Sequence, residues 1–135
     1  MSDFKLSSRS VARLLGVHID LLDVAARAIQ ITKVDFGIPE TGGRRTPNEQ
    51  HQLYRTVNNM KGPDGYEVIG KHQKGEAIDF YAIDPETNKA SWDEALLAQV
   101  ACAFFQAAIE LGVKIRWGGL FTSWFDGPHI ELIGD

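Results

Sequence analysis

The stretch Gly70-Lys71-His72-Gln73-Lys74-Gly75-Glu76-Ala77-Ile78-Asp79-Phe80, running on into Tyr81-Ala82-Ile83, decides how this chain is read. Its second half alternates as a strand does, with Ile78, Phe80 and Ala82 on one face and Ala77, Asp79 and Tyr81 on the other. An acid inside such an apolar run is costly to bury unless something pairs with it. Seven positions upstream stands His72. A fully extended chain would hold the two roughly 23 Å apart, at about 3.3 Å per residue. Gly75 lies between them and can reverse the chain at low steric cost, so His72 can return towards Asp79.

A further ligand is sought among the remaining histidines, His18, His51 and His129. The segment Phe125-Asp126-Gly127-Pro128-His129-Ile130-Glu131-Leu132 is the informative one. Pro128 excludes a helix interior, which puts Asp126 on a turn feeding a strand. In that strand His129, Glu131 and Ile133 share a face, so Glu131 is a candidate to support His129. His72, Asp79 and His129 together make two imidazoles and a carboxylate. That is a three-ligand zinc set with a fourth position open to water, as catalytic zinc requires. The ion would also supply the counter-charge for Asp79. Either half alone is weak, because a single His on an apolar strand is more often a packing residue than a ligand.

The rest of the chain predicts an α+β fold, with helices packed on a small, mostly antiparallel sheet. Helices are expected over Ser7–Leu15 and about Asp20–Gln30, and a strand over Val34–Ile38. Thr46-Pro47-Asn48-Glu49 has the N-cap, first-turn proline and reciprocal acid of a capping box opening a third helix. Asn58 to Gly70 reads as a long polar connection. Ser91-Trp92-Asp93-Glu94 reads as a second capping box, starting an apolar helix that ends at Gly112 and is expected to be the central buried one. Ala77–Ile83, Val113–Trp117 and His129–Ile133 complete the strands. Within this scheme His51 is expected to be a solvated helix residue, His18 a helix-end residue and Cys102 a buried free thiol. Trp117, Trp124 and Phe125 are expected in the core rather than lining a cleft, and Asp64 lacks the spacing of an EF-hand calcium loop.

At 135 residues, 44% hydrophobic and 24% charged, the chain is expected to form one soluble domain over residues 1–135. A net charge of −4 gives no reason to expect a nucleic-acid partner. The lone Cys102 excludes an intrachain disulfide. The N-terminus has no secretory signal pattern, and no segment is expected to span or stably associate with a membrane.

The run from Gly70 to Asp79 resembles the Ser-x-His-x-x-Gly-x-Ala-x-Asp motif of the D-Ala-D-Ala carboxypeptidase family of zinc peptidases. Asp126-Gly127-Pro128-His129 resembles its second motif, and Gly43-Arg44-Arg45-Thr46 with Glu49-Gln50 its Gly-x-Arg-Thr segment. The chain looks most like the compact L-alanyl-D-glutamate peptidases that serve tailed phages as endolysins. Carried over by position, the resemblance implies the Hedgehog/DD-peptidase fold, Zn2+ on His72, Asp79 and His129, Asp126 as general base, and Arg45 holding substrate or stabilising developing charge. Gly70 stands where the family usually has Ser, and Arg44 adjoins Arg45, so the choice between the two arginines rests on spacing from Thr46. The implied substrate is the peptidoglycan stem peptide, cut between L-Ala and D-Glu by a monomer that waits in the host cytoplasm until a membrane pore frees it. Two other readings stand beside this one: a carboxypeptidase removing terminal D-Ala, and a non-catalytic wall-binding module in which zinc supports the fold.

Overall fold

The structure is a computed structural model describing residues 3–58, 60–121 and 125–134. Its elements run α1 (Ser8–Arg13), α2 (Ile19–Ile31), β1 (Phe36–Gly37), α3 (Pro47–Thr56), β2 (Ala77–Asp79), β3 (Tyr81–Ile83), β4 (Ala90–Ser91), α4 (Glu94–Leu111), β5 (Ile115–Trp117) and β6 (His129–Leu132). Two three-stranded antiparallel sheets form, in the orders β1-β3-β4 and β2-β6-β5. The α+β expectation holds, but one sheet has become two. The cause is Phe80. The expected Ala77–Ile83 strand breaks there, and the Phe80 amide donates to the carbonyl of Pro128 at 2.8 Å. Its ring, fully buried, meets Phe104 at 5.4 Å and Phe36 at 6.4 Å between centroids. That aromatic cluster anchors the junction from which β2 and β3 enter separate sheets.

Helix ends follow the expected chemistry with one shift. Ser7 caps α1 through the Ser10 amide, and the His18 ring accepts from the Asp20 amide at the start of α2. At α3 both bonds of the Thr46/Glu49 capping box are present. At α4 the cap is Asp93, whose carboxylate accepts from Leu96, while Ser91 instead accepts from the Asp93 amide. The N-cap therefore lies two residues beyond Ser91, because Ala90 and Ser91 pair with β3 as β4, and the expected second capping box does not form: Leu96 at N3 has no side-chain acceptor to return the bond.

Leu21, Val24, Ala25 and Ala28 of α2 pack on α4, which buries Leu97, Val100, Phe104 and Ala107. At 18 residues α4 reaches the length and apolar content of a membrane span, contrary to expectation, yet one of its faces builds the core. The opposite face is open. Ile109 is exposed, and so is Cys102, which corrects its assignment as a buried thiol.

Candidate metal centre

The pairing of β2 with β6 sets Ile78 against Ile130 and Asp79 against His129. Both isoleucines are fully buried, each contributing about 1.5–3 kcal/mol by leaving water. A slip of one residue would turn them to the cleft and Asp79 into the core. The apolar pair thereby fixes the polar one: directly opposed residues carry their side chains on the same face. Ala77 sits opposite Glu131 on that face, and its small side chain leaves room for the Glu131 carboxylate beside the His129 ring.

His72 arrives by the reversal expected at Gly75. The Gln73, Lys74 and Gly75 amides donate back to Gly70, Lys71 and His72. Gly75 has φ +73°, and a Cβ there would stand 2.6 Å from the carbonyl oxygen of Gly16. Its own carbonyl accepts from the His18 amide at 2.8 Å. The fold-back brings His72 Nε2 to 3.2 Å from Asp79 Oδ1, and His129 Nδ1 lies 3.3 Å from the same oxygen. One ligand atom from each of the three residues falls within 4.8 Å of the others, the separation a single cation bridges.

The far side of each ring is fixed as well. His72 Nδ1 lies 3.0 Å from the carbonyl oxygen of Gly43. A carbonyl only accepts, so Nδ1 carries a hydrogen and Nε2 is the nitrogen turned to the cluster. His129 Nε2 lies 2.8 Å from Glu131 Oε1, which likewise leaves Nδ1 as the ligand atom. These outer partners orient metal-binding imidazoles and raise their basicity. Burial would raise the Asp79 pKa, but hydrogen bonds from His129 and His72, with Arg45 nearby, hold it far below the usual carboxylate range. Burial would lower that of His129, yet Asp79 and Glu131 raise it to about 9. A proton thus sits where a cation would, and the donor set fits a divalent ion: two neutral imidazole nitrogens and one carboxylate.

Arg45, not Arg44, faces this cluster. Its Nη2 donates to Asp79 Oδ2 at 2.8 Å, Nη1 to Gln50 Oε1 at 3.1 Å and Nε to the Thr41 carbonyl at 2.8 Å. Arg44 turns away to donate to the carbonyl of Gln73. Asp126 Oδ2 stands 3.9 Å from His129 Nδ1, outside the tight ligand group, and burial raises its pKa. All five residues border one cleft of about 1140 Å³. A wall of that cleft comes from Leu53 of α3 and Val57 at its C-cap, with Pro63 of the following connection.

Two supports, Gly43 and Gln50, stand in the Gly-x-Arg-Thr resemblance but drew no role from the sequence. Gly43 acts through its carbonyl oxygen, which no residue type advertises. Gln50 is buried, bonding Arg45 on one side and the Pro63 carbonyl on the other; its signal was a polar residue on the inner face of α3. At Gly70 a Cβ would lie 3.1 Å from Pro63 Cγ, so a serine there would be crowded, and the Gly43 carbonyl supports His72 instead. His51 is half-buried rather than freely solvated: its Nδ1–H donates to the Asp64 carbonyl and its ring lies 4.8 Å from that of Tyr66. The Asp64 carboxylate accepts from the Tyr66, Glu67 and Val68 amides, so it organises its own loop. Trp117 packs against the core with Nε1 donating to Gly127, Phe125 is about half exposed at 48%, and Trp124 lies outside the described residues.

The sequence model of a family described as phage L-alanyl-D-glutamate peptidase matches residues 1–133. The chain is 33% identical to the L-alanyl-D-glutamate peptidase of Escherichia phage T5, over 96% of this chain and 98% of that one. The crystal structure of the Serratia marcescens L-Ala D-Glu endopeptidase ChiX superposes with a TM-score of 0.80 at 31% identity, over 96% of this chain and 91% of that one.

Proposed function

The chain belongs to the phage L-alanyl-D-glutamate peptidase family, and on that premise we propose that it is a zinc peptidase that cuts peptidoglycan stem peptides between L-Ala and D-Glu during phage-induced lysis. His72, Asp79 and His129 are the zinc ligands, Asp126 the general base and Arg45 a substrate-facing residue. The observation that carries this reading is the spacing around His129 Nδ1. Asp79 touches it at 3.3 Å as a fellow ligand, while the Asp126 carboxylate stands back at 3.9 Å on the cleft side. A site that only braced the fold would close with a fourth ligand; among the described residues the ligand group stops at three, with the Asp126 carboxylate beside it.

Zinc bound there would supply the Lewis acid that brings the pKa of a water towards about 7 and polarises the scissile carbonyl. The protein does the rest. Burial keeps the Asp126 carboxyl more basic than an ordinary aspartate, which suits it to take a proton from the attacking water at Oδ2 and return it to the leaving nitrogen. Arg45 commits three N–H groups to Asp79, Gln50 and Thr41, and a guanidinium has five. The two that remain are available to substrate oxygen, where negative charge develops. Arg45 also holds Asp79 Oδ2, leaving Oδ1 for the cation.

We infer one domain over residues 1–135 that acts as a monomer, a reading supported by a core cluster running from Leu14 to Ile130 and by three candidate ligands carried on one chain. The enzyme accumulates in the host cytoplasm and reaches the wall on release. Mass spectrometry of digested muropeptides tests the reading. A new D-Glu amino terminus is expected; loss of terminal D-Ala would make it a carboxypeptidase, and an unchanged digest would refute it. Asp126→Ala should keep one zinc per chain and lose cleavage by at least about 100-fold, the usual scale of acid–base catalysis; undiminished cleavage would remove Asp126 from the base role.

A further inference from the structure

Among the described residues, four lysine and arginine side chains border the cleft: Arg45, Lys61, Lys71 and Arg116. Arg45 is engaged with Asp79. Two of the others meet on the β5–β6 wall, around one acid. Lys71 Nζ donates to the Leu132 carbonyl and stands 3.5 Å from Glu131 Oε2. Arg116 is the cross-strand partner of Glu131, with Nη1 4.0 Å from that same oxygen. This is beyond hydrogen-bond distance, and the Arg116 guanidinium makes no hydrogen bond among the described residues. Glu131 is itself engaged through Oε1 with His129. Two cations therefore share one carboxylate oxygen, leaving positive charge turned to the cleft. An arginine on an edge strand is commonly just solvated, and the Arg116 side chain is 55% exposed. Its place on the cleft wall beside a tethered lysine points elsewhere.

The substrate supplies the complement. Glutamate has two carboxyl groups and only one continues the peptide, so the residue whose nitrogen departs carries a free carboxylate. We propose that Arg116, with Lys71 beside it, receives that carboxylate and thereby selects glutamate on the leaving side of the scissile bond. The guanidinium fork matches a carboxylate in two parallel hydrogen bonds, and Lys71, fixed by the Leu132 carbonyl, adds a point charge. Glu131 links this wall to the metal: one oxygen orients His129 and the other holds Lys71.

This inference rests on the endopeptidase reading, and the test separates the two. Two stem peptides are compared, identical except that the free carboxyl of the glutamyl residue is left as the acid or converted to its primary amide. The wild type should favour the acid about tenfold in kcat/KM, a modest return for a charge-assisted pair at a half-exposed site. Arg116→Gln should bring the ratio close to one, chiefly by raising KM for the acid peptide. Arg116→Lys, which keeps charge but not the fork, should fall between. A wild type that cuts both peptides equally well, or an Arg116→Gln variant that keeps the preference, overturns the assignment and leaves the endopeptidase reading standing. A wild type that cuts neither peptide overturns both.

Discussion

Glu131→Gln isolates the contribution of the outer carboxylate to the metal centre. Glu131 Oε1 lies 2.8 Å from His129 Nε2, and the two side chains are only 12% and 11% exposed, so little solvent screens the bond. The carboxylate raises the basicity of Nδ1 and fixes the tautomer that presents a lone pair to the cluster. A glutamine keeps the shape but not the charge. Its amide can also turn to donate to Nε2, moving the ring hydrogen to Nδ1, where the cation belongs. Loss of such a partner weakens metal binding by about 10–100-fold, or about 1.4–2.7 kcal/mol, and the dry site argues for the upper half of that range. Competition with a chromophoric chelator gives the zinc Kd directly. The thermal midpoint measured in excess chelator shows whether the fold is intact. A variant that folds and binds zinc within twofold of wild type would refute the role assigned to Glu131.

Phe80→Ala removes a fully buried ring from the junction of the two sheets; it should cost about 3–5 kcal/mol, lowering the melting midpoint by roughly 10–20 °C. A drop of only a few degrees would mean that the aromatic cluster does not anchor the junction. His129 keeps its proton up to about pH 9 beside Asp79 and Glu131, and a cation must displace it. Zinc binding at pH 7 should therefore release about one proton from this group, read by calorimetry in buffers of differing protonation enthalpy. Apparent affinity should fall as pH is lowered below about 9; a pH-independent affinity with no proton release would contradict the shared-proton description.

Much of the site was legible because its chemistry is local. Gly75 reverses the chain as read, with φ +73°, and Thr46 with Glu49 forms the capping box. The strand alternation around Asp79 appears as buried Ile78, Phe80 and Ala82. What escaped was set by distant contacts. Nothing between Ala77 and Ile83 announces a break, since Phe80 fits a strand equally well; its docking on Phe36 and Phe104 and its bond to Pro128 end the pairing. Ser91 and Asp93 are equivalent N-caps by residue type, and the β4 pairing of Ser91 decided between them. Cys102 lies in an apolar helix whose core contacts cover one face only, so composition overstated its burial. His51 found partners in a loop thirteen residues away, a contact that helix periodicity cannot encode.

The central claim is that two distant segments hold one ion between His72 Nε2, Asp79 Oδ1 and His129 Nδ1. Anomalous diffraction at the zinc edge from crystals grown with stoichiometric zinc tests it most directly. A single peak about 2.0–2.2 Å from each of those three atoms is expected, with Asp126 outside bonding distance and Glu131 still on His129 Nε2. A peak bound through His129 Nε2 and Glu131, or none between positions 72 and 129, would contradict it.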